Sequence, residues 1–156
     1  MAMNIHRVLW PTDFSELSLC GGKYAKAMCD QFGAALHILH VIPPMLGPDI
    51  PATIPPEMPP MVNDPKLLDD ANGQLQRMAA SHFHGLPVTT ESLFGNPWHE
   101  ICEYAEKNEI DLIIVATHGR TGFMHAIIGS TAERVVQHAK CPVLTVKNKG
   151  RVVCSD

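Results

Sequence analysis

The sequence predicts a doubly wound α/β domain built on a five-stranded parallel sheet of strand order 3-2-1-4-5. Two observations carry the parallel, doubly wound architecture. Short apolar, β-branched runs alternate with stretches of helical periodicity, giving the order β-α-β-α-β-α-β-α-β. The run DLIIVA, Asp111 to Ala116, is apolar almost throughout, as suits a central parallel strand covered on both faces. Strands that alternate with helices in this way are joined most simply in parallel, through right-handed crossovers.

Ile5 to Trp10 reads as the first strand, ended by Pro11. In PTDFSE, Asp13 and Glu16 have capping-box spacing and Ser15 is a competing N-cap. Leu17, Cys20, Tyr24, Ala27 and Met28 recur at helical spacing, giving a first helix that ends near Gly33. The pair Gly21–Gly22 costs that helix about 1 kcal/mol per glycine, a cost that fits close packing on a neighbour. Ala35 to Ile42 (ALHILHVI) is the second strand. Nine of the thirteen prolines then fall between Pro43 and Pro65, which excludes helix and central strand there. That segment is a long loop with polyproline II character, readable as a linker or as an SH3-type ligand.

Leu68, Ala71, Leu75, Met78 and Ala79 mark the second helix, with Gly85 as its stop. Val88 to Leu93 is the third strand. In GNPWHEICEYAEKN, Asn96 is an N-cap and Pro97 fits the first helical position. Trp98, Ile101, Cys102 and Ala105 form the buried stripe of that third helix. After the fourth strand, Ser130 and Glu133 have capping-box spacing ahead of a stripe of Ala132, Val135, Val136 and Ala139. Pro142 to Val146 (PVLTV) is the last strand. Residues 1–147 are expected to form one domain with a proline-rich loop at 43–65, and 148–156 a loosely held tail.

A chain of 156 residues can bury a substantial core without cross-links. Its net charge of −4, with no Lys/Arg run, argues against a nucleic-acid partner. No stretch approaches the roughly 18 apolar residues of a membrane helix, and MAMNIHRVLWPTDF turns polar too soon for a secretory signal. The five cysteines include no CxxC pair and are expected to be reduced thiols in a cytoplasmic protein. Cys20, Cys102 and Cys141 sit among apolar neighbours as core residues, and Cys154 lies in a polar tail.

In a sheet of this order, ligands sit outside the carboxyl ends of the strands, where the strand order reverses. That point lies between the first and fourth strands, so PTD and the segment ATHGRTGFMHAIIGST meet there. A phosphate needs several N–H donors aimed at one point; glycines allow close approach, and a helix N-terminus supplies donors and partial positive charge. Gly119, and Gly129 with Ser130 opening the fourth helix, offer that combination. Ser130 and Thr131 add hydroxyl donors, and His118 and Arg120 add charge or hydrogen bonds. The same residues also serve a plain strand-to-helix turn, so both readings stand. There is no Gly-Lys-Ser/Thr, hence no P-loop, and no G-x-G-x-x-G dinucleotide fingerprint. His82-x-His84 and the His37/His40 pair lack a third ligand at a telling spacing, so no metal site is assigned to protein side chains. No nucleophile–base pair is evident, so no catalytic residue is assigned.

From VLWPTDFSE through LHVI and ATHGRTGF…IIGSTAERVV to CPVLTVK, the chain resembles the universal stress protein family. The resemblance implies a Rossmann-like fold of the adenine nucleotide alpha hydrolase type. Its ATP-binding members share the pattern G-x2-G-x9-G-[S/T], matched here by Gly119, Gly129 and Ser130, with Ala116 in place of the first glycine. By that resemblance Asp13 would hold the ribose or adenine, with Pro11 and Thr12 beside the base and the Val41 backbone on adenine. Ala116, Thr117 and His118 would lie along the ribose and phosphates. Gly119, Gly129, Ser130 and Thr131 would carry the phosphates of ATP, with Mg²⁺ or Mn²⁺. From the residues alone, Asp13 can instead be a helix N-cap and Val41 a core residue. The resemblance further implies a homodimer paired through Pro142 to Val146, acting as a nucleotide-dependent stress regulator. Two other readings are a nucleotide-free dimeric interaction module and a weak ATPase or phosphate-transfer enzyme.

Overall fold

A computed structural model describes residues 4–43, 64–117 and 129–147 of the chain. Strands β1 (Arg7–Pro11), β2 (Ala35–Ile42), β3 (Val88–Phe94), β4 (Leu112–Ala116) and β5 (Val143–Val146) alternate with helices α1 (Glu16–Phe32), α2 (Pro65–His82), α3 (Pro97–Lys107) and α4 (Ser130–His138). The strands form one sheet in the order β3-β2-β1-β4-β5. Every pairing is parallel, with Trp10 opposite Ile38, Leu9 opposite Ile113 and Ala116 opposite Val146 in register. The expected topology is the observed one. Of the expected proline-rich loop and tail, residues 44–63 and 148–156 lie outside the described residues.

Period-two alternation sorts the strand residues into two cores. Val8, Trp10, Leu36, Ile38, Leu112 and Ile114 face one way, under Ala25 and Cys29 of α1 and Leu75 of α2. Leu9, Leu39, Val41 and Ile113 face the other way, under Ile101, Tyr104 and Ala105 of α3 and Val135 of α4. α1 and α2 therefore cover one face of the sheet, and α3 and α4 the other.

The inner face of α1 differs from the expected stripe. Ser18, Cys20, Gly21, Gly22, Ala25 and Cys29 are buried, while Tyr24 is 52% exposed. The two glycines bring this face down onto the Trp10 ring. A Cβ on Gly22 would stand 2.8 Å from Trp10 Cη2, and one on Gly21 3.0 Å from Trp10 Nε1. The indole also donates from Nε1 to Ser18 O at 3.1 Å and packs against Phe83. Backbone proximity, rather than side-chain hydrophobicity, rotates the helix. On α4 Ala132 and Val135 are buried as expected, but Val136 is 47% exposed, because a nine-residue helix on one sheet face buries a narrow stripe.

Two helix starts also differ. Ser15 is the N-cap of α1, its side chain accepting from Ser18 N at 3.2 Å. Asp13 instead accepts from Ser15 N and Ser15 Oγ, closing an Asx turn ahead of the helix. α4 is capped by Gly129, so Ser130 is its first helical residue and the Ser130–Glu133 capping box does not form. At the end of α2 the C-cap is Phe83, two residues before Gly85.

Cys29, Cys102 and Cys141 are free thiols. Burial pushes the Cys29 thiol up to about 11, with Asp30 adding to the effect. Burial likewise raises Cys102 and Cys141. Cys20 is disulfide-bonded, which corrects the expectation of a reduced thiol there; sequence spacing does not report which cysteines a fold brings together.

Candidate functional site

β1 and β4 are neighbours whose crossovers leave to opposite faces of the sheet, so a cleft opens at their carboxyl ends. A cavity of about 450 Å³ occupies that cleft. Its floor is made by strand ends: Pro11 from β1, Leu39 to Ile42 from β2, and Val115 and Ala116 from β4. One wall is the β1–α1 turn with Thr12, Asp13 and Ser18. The opposite wall is the start of α4, Gly129 to Ala132, with Thr117 before it. Pro97 and Ile101, on the first turns of α3, close a third side.

The turn wall is held rigidly through Thr12, which is 5% exposed. Its N–H donates to Leu39 O at 2.9 Å, extending the β1–β2 ladder past the strand end. Its hydroxyl lies 2.5 Å from Ser18 Oγ and accepts from Phe14 N at 3.1 Å. Its carbonyl accepts from His40 Nδ1 at 2.8 Å. Phe14 adopts φ 63°, the left-handed region, which is uncommon for an aromatic residue. Its ring lies 4.4 Å from the His40 ring, centroid to centroid.

The helix wall presents backbone donors. Gly129, at φ −68° and ψ 150°, is an extended N-cap with no side-chain cap hydrogen bond. Its N–H donates to Thr117 O, tying the helix start to the end of β4. Its carbonyl accepts the first helical bond from Glu133 N at 3.0 Å, so the N–H groups of Ser130, Thr131 and Ala132 precede the helical ladder. These donors and the positive end of the α4 dipole stand at the cavity. Asp13 is the one carboxylate lining it among the described residues.

The structure thus gathers Pro11, Thr12 and Asp13 with Val41, Ala116 and Thr117, and with Gly129, Ser130 and Thr131, around one cavity. His118, Gly119 and Arg120 lie outside the described residues. Ala116 is not among the residues with positive φ, so its backbone conformation is unstrained for an alanine. Sequence reasoning missed His40, Pro97 and Ile101. The signal for Pro97 was present, since the first turn of a helix that follows a strand end points back toward that end of the sheet. His37 faces the other way from His40, its Nδ1 2.9 Å from Tyr104 OH. Burial, with the Arg7 charge adding, lowers its pKa, while burial pushes the Tyr104 phenol up to about 12. The histidines considered for metal binding do not cluster among the described residues; His99, Glu100 and Glu103 do, at the start of α3.

A parallel doubly wound sheet with a helix N-terminus and a fixed strand-to-helix turn facing each other at its switch point defines a Rossmann-like α/β domain. The model of the universal stress protein family matches residues 4–147, and the chain belongs to that family. It is 34% identical over 144 residues to universal stress protein MJ0531 of Methanocaldococcus jannaschii, covering 90% of this chain and 81% of that protein. The structure of MJ0577, a universal stress protein of the same organism, superposes with a TM-score of 0.75 at 26% identity, covering 95% of this chain and 99% of that one. A universal stress protein in complex with cAMP has the same fold, with a TM-score of 0.65 at 19% identity over 92% of this chain and 98% of that one.

Proposed function

We propose that this stress protein binds an adenine nucleotide, ATP with Mg²⁺ or Mn²⁺, in the cavity between the β1–α1 turn and the start of α4, and that the bound nucleotide regulates its action. The observation that carries this reading is the start of α4. A glycine N-cap without a side-chain cap leaves helix N–H donors facing a cavity of about 450 Å³, large enough for a small ligand. A capping side chain would have satisfied those donors internally; a phosphate satisfies them from outside. The apolar floor of Leu39, Val41, Ile101 and Val115 suits the face of a base. Asp13, on the opposite wall, suits a ribose hydroxyl. The cAMP complex supports the class of ligand, since it places an adenine nucleotide on a protein of this fold.

Ala116, in place of the first motif glycine, does not have positive φ, so an alanine is unstrained at that position, which supports the reading. Asp13 already accepts two hydrogen bonds from Ser15, which suits a fixed binding group better than a base that activates water. We therefore favour a regulator with slow or no hydrolysis. Within the same reading the active form is a homodimer paired through β5, which lies at the sheet edge and needs cover.

Thermal melting with and without ATP and Mn²⁺ tests the reading. At ATP about one hundred times the dissociation constant, ligand linkage adds about 2.7 kcal/mol, a rise of roughly 5–10 °C for a domain of this size. An unchanged melting temperature at millimolar ATP would overturn it.

A further inference from the structure

We infer that His40 is a positioning residue for the nucleotide site: it fixes the Thr12–Phe14 turn in the conformation that presents Asp13 to the cavity. The inference rests on the nucleotide reading above and adds a residue that the sequence pattern had offered only as a metal candidate.

His40 holds the turn at two points. Its Nδ1 lies 2.8 Å from Thr12 O, and since a carbonyl can only accept, Nδ1 carries the proton. Thr12 O is the oxygen of the peptide that leads into Asp13, so the bond sets the orientation of that peptide plane. The imidazole also packs on Phe14, at 4.4 Å between ring centroids. Phe14 is where the turn is least favourable on its own, since an aromatic side chain at φ 63° persists only where its surroundings impose it. The surroundings are the His40 ring, the core residues against which Phe14 packs, and the bond from Phe14 N to Thr12 Oγ1. Asp13 lies between these two anchored residues, and its Oδ1 accepts from Ser15 N and Oγ. Removing the His40 donor leaves the carbonyl of a buried residue without that bond and frees the 12–13 peptide to rotate. Asp13 then turns away from the cavity while the sheet beneath, tied by Thr12 N to Leu39 O, stays as it is.

The test compares wild type, His40→Leu and His40→Asn. Leucine keeps bulk and loses the donor. Asparagine loses the ring but keeps an N–H at the Nδ1 position. ATP affinity is read by calorimetry, and backbone amide shifts of Asp13, Phe14 and Ser15 are read by NMR without nucleotide. The expected result is that His40→Leu weakens ATP binding about tenfold or more and displaces those amide shifts. His40→Asn is expected to stay within about threefold of wild type, with amide shifts displaced less than in His40→Leu, a rescue that loss of packing alone would not give. Equal affinities in all three proteins, or equal losses in both variants, would overturn the inference. If wild type itself does not bind ATP, the nucleotide reading fails, and the amide shifts still decide whether His40 fixes the turn. If the leucine variant does not fold, the asparagine variant decides alone: a loss of more than about tenfold contradicts the inference.

Discussion

Gly129→Asp is expected to abolish ATP binding while leaving the fold intact. Gly129 has φ −68° and ψ 150°, a conformation open to any L-residue, and it is the N-cap of α4. Aspartate is among the best N-cap residues, so the unliganded variant should melt at or slightly above the wild-type temperature. Its carboxylate, however, would accept the N–H bonds that a phosphate would take, and would place a negative charge beside it. Two unit charges about 4 Å apart at an effective dielectric near 20 repel by about 4 kcal/mol, so a loss of at least about 100-fold is expected. Gly129→Asn caps equally well without the charge and should lose less. Calorimetric titration of both variants separates donor competition from repulsion. Affinity retained by the aspartate variant would place the phosphates elsewhere.

Gly22→Val is expected to destabilise the protein by about 3 kcal/mol, the upper range for overpacking a core, lowering the melting temperature by roughly 6–12 °C. By helix propensity alone, replacing this glycine with valine would stabilise α1 slightly. Packing decides the sign. The new Cβ would lie 2.8 Å from Trp10 Cη2 and 3.0 Å from Cζ2. Trp10 is 1% exposed, packed on Phe83 and hydrogen-bonded through Nε1 to Ser18 O, so it has no direction in which to yield. α1 must lift from the sheet, which also pulls on Ser18 and Thr12 in the cavity wall. A smaller ring should relieve the clash, so Trp10→Phe combined with Gly22→Val should be less destabilised than the sum of the two single changes. Chemical denaturation of the four proteins reads this coupling directly. Additive losses would mean that Gly22 is not set by the Trp10 contact.

These residues show what was and was not legible in the sequence. The parallel, doubly wound sheet followed from alternation and from DLIIVA, because apolar runs and right-handed crossovers leave few ways to connect the strands. Alternation alone does not fix the order 3-2-1-4-5, since other doubly wound orders share it. The meeting of PTD with the start of α4 followed from that order. The helix starts were less legible, because competing caps lie within two residues of each other and local geometry chooses between them. Ser15 displaced Asp13, freeing Asp13 for its turn. Gly129 displaced Ser130, and that one-residue shift is what leaves the start of α4 without a side-chain cap. The face of α1 was misread because glycines carry no hydrophobic signal, although they allow the closest approach in the core. His40 was unreadable as a positioning residue, since its partner is a backbone carbonyl twenty-eight residues away, and a backbone partner leaves no mark on residue type.

The most direct test of the central claim is the map of backbone amide shifts on adding ATP and Mg²⁺ to ¹⁵N-labelled protein. The largest changes are expected at Thr12, Asp13, Val41 and Ser130 to Ala132, residues on the floor and the two facing walls of the cavity, with α2 unmoved. Shifts centred on another surface, or none at saturating nucleotide, would contradict it.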